Sequence, residues 1–357
     1  MRRLLSDAAN YLADLGGSSV RGWRRFFFTP ADPTALGLVR LVCGALLFWS
    51  VAVLGFDLKD FLGSEGWIGP AAAQQYLAEH SPWGWSFWVW VPDRWLGVAW
   101  AACLVVSGLF AVGCWSRATA VLSWIIAVSI VRRAPVTLFG FDLMLSTWLF
   151  YLAVCGASGQ ALSLDRFRAR AKAKPKASAA PPFSVEANLG LRLIQLHLVL
   201  IYGCAGLSKF MGPEWWNGSA LEMIILTPEF RRFNLSWLLA YPALLSLGTH
   251  FGLLLEASYP VLIWVPKLRP LVLAGIIIMH LSIDLLLGLT EFGLAMIAAN
   301  LAFFSGPWLR SRAGSAPPLP RLGFVRRARE PHARPLSTAD HREPSRRRDR
   351  GGALGRP

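Results

Sequence analysis

A chain of 357 residues that is 54% hydrophobic and only 16% charged is too apolar for an ordinary soluble domain, in which about a quarter of residues carry charge. Several apolar runs reach the roughly 20 residues that cross a bilayer core, so composition excludes a soluble enzyme and predicts an all-α, polytopic transmembrane helix bundle. The net charge of +15 is concentrated at the end: residues 309–357 hold thirteen Arg against Glu330, Asp340, Glu343 and Asp349. On a membrane protein this predicts a basic, disordered cytoplasmic tail beside anionic lipid rather than a nucleic-acid partner.

Residues 1–34 form an amphipathic interfacial segment. Leu4, Leu5, Ala8, Tyr11, Leu12 and Leu15 recur at helical spacing, and Arg21, Arg24 and Arg25 surround Trp23, the pattern of a helix lying in the headgroup plane. The first 16 residues have a basic start but no apolar core, so the first span is expected to act as an uncleaved membrane signal. Asp32-Pro33 is a helix start signal.

Residues 35–308 are expected to hold about eight spans, at about 35–55, 95–112, 116–131, 136–157, 187–209, 242–265, 271–289 and 292–308. Arg40 lies inside the first span, and snorkelling towards the basic end is the expected solution. Residues 56–93 read as a long polar loop whose Trp83, Trp85, Trp88 and Trp90 rest at headgroup depth; stacking on a substrate is the other reading. Between Ser163 and Ser184 six basic residues are followed by Ala, Pro and Ser, a solvated linker. A short helix is expected around Leu221–Leu226 in the loop 210–234. An even span number puts both termini on one side. The N-terminus, Arg117, the 166–176 cluster, Lys267, Arg269 and the tail are basic and fall together, opposite the acidic 56–93 loop, which predicts cytoplasmic termini in the inner membrane. Arg132-Arg133 is the exception to that pattern.

Cys43, Cys103, Cys114, Cys155 and Cys204 lie in or beside apolar runs without CxxC spacing, so neither a disulfide framework nor a metal site is expected. Phosphate loops, HExxH and GxSxG are absent from the sequence, which leaves ATP and nicotinamide chemistry unsupported.

Ionisable groups at membrane depth are costly and mark function by default. The helix that carries Gln195 and His197 ends on Ser208-Lys209 and runs into a Gly-Pro-Glu-Trp-Trp-Asn-Gly loop. Lys209 either snorkels to the interface or acts as a base, because burial disfavours the charged form of an amine and a neutral amine accepts protons. Asp142, His250, Glu256, His280 and Asp284 face the same zone in the threaded spans, with Trp215 and Trp216 as an aromatic shelf. Each has a structural reading beside the functional one: His250 and His280 as satisfied core histidines, Asp142 and Asp284 as local partners. Arg192 reads as structural. Glu256 sits between Leu255 and Ala257 and needs a partner, with Arg192, His250 and Lys209 the candidates. His280 and Asp284 are one turn apart and share a face, so Asp284 is expected to hold the His280 tautomer or to satisfy it.

The segments LGLVRLVCGALLFW, FLGSEGWIGP, GFDLMLSTWLFYLAV, SLDR, YGCAGLSKFMGPEWWNGSAL, HFGLLLEASYPVLIW and MHLSIDLLLGLTEFGLAMIA, in that order over about residues 27–308, resemble the HTTM family, the membrane domain shared with vitamin K-dependent γ-carboxylase. The resemblance implies that Lys209 matches the base that deprotonates reduced vitamin K, and that His280 matches a histidine of the seventh-span motif. It implies a reduced naphthoquinone (vitamin K hydroquinone or menaquinol) as cofactor and no metal. Three departures weaken the transfer of carboxylase (lyase) chemistry. Ser208-Lys209 replaces two adjacent lysines, Gln160 stands where the carboxylase has a functional histidine, and a basic tail follows where the carboxylase continues into a lumenal domain.

Two functions from different classes therefore stand as expectations. One is a quinol-dependent epoxidase or carboxylase-like enzyme with catalytic Lys209 and His280 and substrate contacts from Asp142, His250, Glu256, Asp284, Trp215 and Trp216. The other is a non-enzymatic membrane module that binds a lipid or a partner protein. A small-solute transporter is weaker, since paired broken helices and internal repeats are not evident. The expected partners are the bilayer and a lipid-soluble quinol.

Overall fold

The computed structural model describes residues 2–81, 83–135, 138–172, 180–230 and 232–312; the 313–357 part of the expected tail lies outside them. Helix α1 (Arg2–Phe28) carries the amphipathic N-terminal pattern. Its Tyr11, Leu12 and Trp23 are exposed, while its last turn is tied down: Asn188 Nδ2 donates to the carbonyls of Phe26 and Phe27 at 2.7 and 2.9 Å. Ala31 and Ser184 then exchange two backbone hydrogen bonds of 3.0 Å, an isolated bridge. All other regular structure among the described residues is helical.

Helix α2 (Thr34–Leu54) begins where the Asp-Pro signal places it. The Asp32 carboxylate accepts from the Thr34 amide at 2.9 Å, which satisfies one of the orphan donors of a helix start. Arg310 closes on the same carboxylate, so the end of the bundle is pinned to its beginning.

The 56–93 stretch is not an open loop. It folds into α3 (Leu58–Leu62), α4 (Pro70–His80) and short 3₁₀ turns at Phe87–Trp90 and Asp93–Trp95. Trp83 is exposed as expected of an interfacial ring, but Trp88 is only 1% exposed and belongs to the core. Helices α5 (Leu96–Val112) and α6 (Ser116–Arg133) follow. Arg133 explains its own exception to the charge pattern. It is fully buried and donates from Nη1 to Ile68 O at 2.6 Å and from Nη2 to Leu62 O and Gly63 O at 3.2 and 3.3 Å. A guanidinium used to collect loop carbonyls is a structural pin and does not report which side of a membrane it flanks.

Helix α7 (Gly140–Cys155) is shorter than the expected 136–157 span. The linker starts with α8 (Leu164–Ala171), whose Asp165 crosses to the start of α6. That carboxylate accepts from the Trp115 and Ser116 amides at 2.9 and 2.7 Å and from Ser116 Oγ at 2.7 Å. Burial works against ionisation of Asp165, but these three donors and the charge of Arg168 outweigh it and hold the carboxyl below its ordinary range. Arg40 does not snorkel. It is fully buried and donates from Nη2 to Leu162 O at 2.5 Å.

Helix α9 (Val185–Phe210) has 26 residues. Short helices α10 (Pro213–Trp216) and α11 (Ala220–Leu226) lead to α12 (Pro242–Leu262), α13 (Arg269–Leu287) and α14 (Thr290–Asn300). The expected eighth span breaks. After the turn Leu301–Phe303 the chain bends by 113° into α15 (Gly306–Arg312).

Among the described residues, four helices are long and apolar enough to cross a membrane, or five if the bent pair counts as one span. The other expected spans fall short for visible reasons. Helix α6 carries Arg117, Arg132 and Arg133, α7 has 16 residues, and α12 contains His250, Glu256 and Pro260.

Between helices surrounded by lipid, apolar burial supplies little attraction, so close packing and hydrogen bonds hold the bundle. Glycine makes two close backbone-to-backbone seams. A Cβ on Gly44 would lie 2.6 Å from Ala111 Cα, and one on Gly206 would lie 2.6 Å from Ala257 Cα. The first joins α2 to α5. The second joins α9 to α12 and sets the register that places the polar groups described next. Around these seams the fully buried Leu36, Val39, Trp148, Leu149, Ile194, Leu198 and Ala299 form the core.

Candidate functional site

The α9–α12 seam brings two residues 47 apart in sequence into contact. Lys209 Nζ lies 2.5 Å from Glu256 Oε2, with the side chains 20% and 11% exposed. Lys209 lies in the last turn of α9, three residues beyond Gly206, and Glu256 adjoins Ala257, so the glycine seam sets the approach. Of the three candidate partners for Glu256, the structure selects Lys209, and the lysine does not snorkel away from the bundle. The Trp215 ring lies 4.9 Å from Nζ, a cation–π distance. Trp216 stands further out at 60% exposure, with its indole N–H on Phe210 O at 2.8 Å.

His250 is a tether for that shelf. Its Nδ1 lies 2.8 Å from Ser246 O and its Nε2 3.2 Å from Trp216 O, which joins α12 to the end of α10.

His280 is 2% exposed, and its partner differs from the expected one. Nε2 lies 2.8 Å from the Tyr202 hydroxyl, and among the described residues Asp284 makes no hydrogen bond to it. The reason is rotational: a residue one turn away shares a helix face, but the imidazole points across to α9. Tyr202 belongs to a buried chain. Asn300 Nδ2 donates to Tyr202 Oη at 3.2 Å and to Met296 O at 2.9 Å, and Tyr259 Oη donates to Asn300 Oδ1 at 2.8 Å. The Tyr202 and Tyr259 rings pack with centroids 4.2 Å apart, tilted by 44°. Sequence reasoning missed Tyr202, Tyr259 and Asn300. A signal existed for two of them: Tyr202 precedes Lys209 by two turns, and Asn300 is a lone amide in an apolar run.

Asp142 lies apart from this group. Its carboxylate accepts from the Phe139 amide at 2.9 Å and so caps its own helix. It lines a cavity of about 480 Å³ together with Trp49, Asp57, Phe61, Glu291 and Phe292. Glu291 accepts from the Trp49 indole at 3.0 Å. Arg192 is structural, as its position suggests: it donates to Phe26 O at 3.2 Å and to Gln195 Oε1 at 2.8 Å, and Gln195 passes the link to Ala302 O at 2.7 Å.

The arrangement therefore gathers Lys209, Glu256 and Trp215 at one seam and His280 with Tyr202 at another point of α9. The family model described as the HTTM domain matches residues 28–308. The chain belongs to the HTTM family. No curated protein and no solved structure gives a match. The matched range opens at Phe28, the last residue of α1, and closes inside α15, so every polar contact around Lys209 and His280 lies within the HTTM domain.

Proposed function

We propose that this HTTM membrane protein oxidises a lipid-soluble quinol at the Lys209–Glu256 pair. One observation carries the reading: an amine and a carboxylate, both mostly shielded from water, meet at 2.5 Å beside the Trp215 ring. The pair handles a proton as a unit. With the proton on the amine, the carboxylate accepts from the quinol hydroxyl and the ammonium stabilises the phenolate; with the proton on the carboxyl, the free amine accepts. Trp215 and Trp216 offer aromatic surface for a flat quinol ring. The overall step is hydroquinone plus dioxygen to quinone epoxide plus water, with the quinol oxidised and dioxygen reduced. Coupling to carboxylation of a protein substrate is a further step, for which no feature of this site is used.

The test is direct. Purified protein is given reduced vitamin K or menaquinol with oxygen, and the epoxide is measured. Turnover that disappears in Lys209→Ala with the fold retained supports the reading. Absence of epoxide with every quinol, from a folded wild-type protein, overturns it.

A second reading is favoured by the closed geometry of the pair, in which each charge already has its partner: a structural clamp within a lipid- or partner-binding module. We infer also that the protein sits in the inner membrane with both termini cytoplasmic. The support is the basic character of the N-terminal helix, Arg117, the 166–176 cluster, Lys267 and Arg269, now without Arg133 as a counter-argument. A cytoplasmic reporter fused to the tail is expected to be active, and an externally active one would reverse the orientation.

A further inference from the structure

The buried chain around His280 can be solved for its protons. Asn300 Nδ2 lies 2.9 Å from Met296 O. A backbone carbonyl only accepts, so the amide orientation is fixed: nitrogen towards Met296 and Tyr202, oxygen towards Tyr259. One Asn300 N–H serves Met296 O and the other serves Tyr202 Oη. The Tyr259 hydroxyl serves Asn300 Oδ1. Tyr202 Oη therefore already accepts one bond, and among the described residues its own proton has one polar partner within reach, His280 Nε2 at 2.8 Å.

Two neutral tautomers of His280 compete. If Tyr202 donates to Nε2, the ring carries its proton on Nδ1, and one buried group is unmet, the Nδ1–H donor, which has no partner among the described residues. If Nε2–H donates to Tyr202 instead, two groups are unmet: the Tyr202 hydroxyl proton and the Nδ1 lone pair. Each unmet buried polar group is costly, so the first arrangement wins. We infer that Tyr202, oriented by Asn300, is a positioning residue that locks His280 as the neutral Nδ1–H tautomer and holds a buried N–H donor for an oxygen acceptor of the bound ligand.

The tautomer follows from the hydrogen bonds alone; the ligand half rests on the quinol reading, in which that acceptor is a quinone carbonyl or quinol oxygen. The His280 ring meets Phe292 at 5.6 Å, and Phe292 also lines the 480 Å³ cavity that holds Asp142.

The two halves are tested separately. Full-length protein labelled with ¹⁵N-histidine in nanodiscs is examined by NMR, with the His280 signals assigned by their loss in His280→Gln. The expected wild-type spectrum shows a protonated Nδ1 and an unprotonated, hydrogen-bond-accepting Nε2. Tyr202→Phe and Asn300→Leu are expected to lose this single-tautomer signature. Tyr259→Phe, which removes only a donor to Asn300 Oδ1, is expected to keep it. A merely structural role for Tyr202 would lower melting temperature without changing the tautomer. Nε2–H in the wild type, or an unchanged Nδ1–H signature in both folded Tyr202→Phe and folded Asn300→Leu, overturns the lock. Separately, addition of menadione (a soluble naphthoquinone) is expected to shift the wild-type Nδ1 resonance. A lock without that shift removes the ligand half and leaves the tautomer standing.

Discussion

Lys209 and Glu256 meet beside the point where Gly206 of α9 lies against Ala257 of α12, so one seam sets both the helix register and the polar pair. Removing one partner leaves the other charge uncompensated. A fully buried pair broken in this way costs about 3–5 kcal/mol; with side chains 20% and 11% exposed, Lys209→Ala or Glu256→Gln is expected to cost less, roughly 1–3 kcal/mol. Replacing both by methionine removes the charges together and is expected to be near neutral for stability. Thermal melting of the double variant in detergent checks this. If it keeps its melting temperature yet forms no epoxide, the pair is needed for chemistry. If it forms epoxide at the wild-type rate, the pair is a clamp.

The seam itself has no room. A Cβ on Gly206 meets the Ala257 backbone at 2.6 Å, and backbone cannot swing aside as a side chain does. Gly206→Val is expected to destabilise by about 1–3 kcal/mol through overpacking and to separate Lys209 from Glu256. Retained melting temperature and retained cross-linking between the α9 and α12 ends would contradict the packing described here.

Arg133 collects three carbonyls from the 62–68 stretch. Arg133→Ala takes the guanidinium donor from Leu62 O and Ile68 O, while Gly63 O keeps its bond from the Gly66 amide at 3.3 Å; each carbonyl left unmet is worth about 1–3 kcal/mol, so the stretch from Leu58 to Trp90 is expected to open. Hydrogen exchange or limited proteolysis across this stretch reads the opening. Arg133→Lys should not restore protection, because an ammonium lacks the forked geometry that reaches several carbonyls at once.

Asp165 makes stability depend on acid pH. Its carboxyl is held below the ordinary range in the fold, despite burial, by Ser116, Trp115 and Arg168. A depressed folded value means that the contribution is complete above the unfolded value of roughly 4 and is lost as pH falls through the lower folded value. Wild type should therefore melt above Asp165→Asn at neutral pH, and the gap should close as pH falls below about 4. A gap independent of pH would mean that the carboxylate charge contributes nothing to the cap of α6.

Much of the helix order was legible in the sequence, because a helix needs only local information: apolar runs of the right length, Asp32-Pro33 at a start, glycine at an end. Thus α2, α5 and α9 fall close to their expected ranges, and Lys209, Glu256 and His280 stand out as polar groups in apolar surroundings. Partners were not legible. His280 turns to Tyr202, 78 residues away, instead of Asp284 on its own helix. Arg40 turns to Leu162 instead of the interface, and Trp88 packs inward while Trp83 stays outside.

What the amino-acid order determined by itself is therefore the class of molecule, an apolar helical bundle with a few costly polar groups, since hydropathy and helix ends are local properties. Which of those groups touch was decided only by tertiary structure. Rotation of each helix about its axis and the depth of each glycine seam set the contacts, and a shift of one residue along α9 would carry Lys209 about 100° around the helix and away from Glu256.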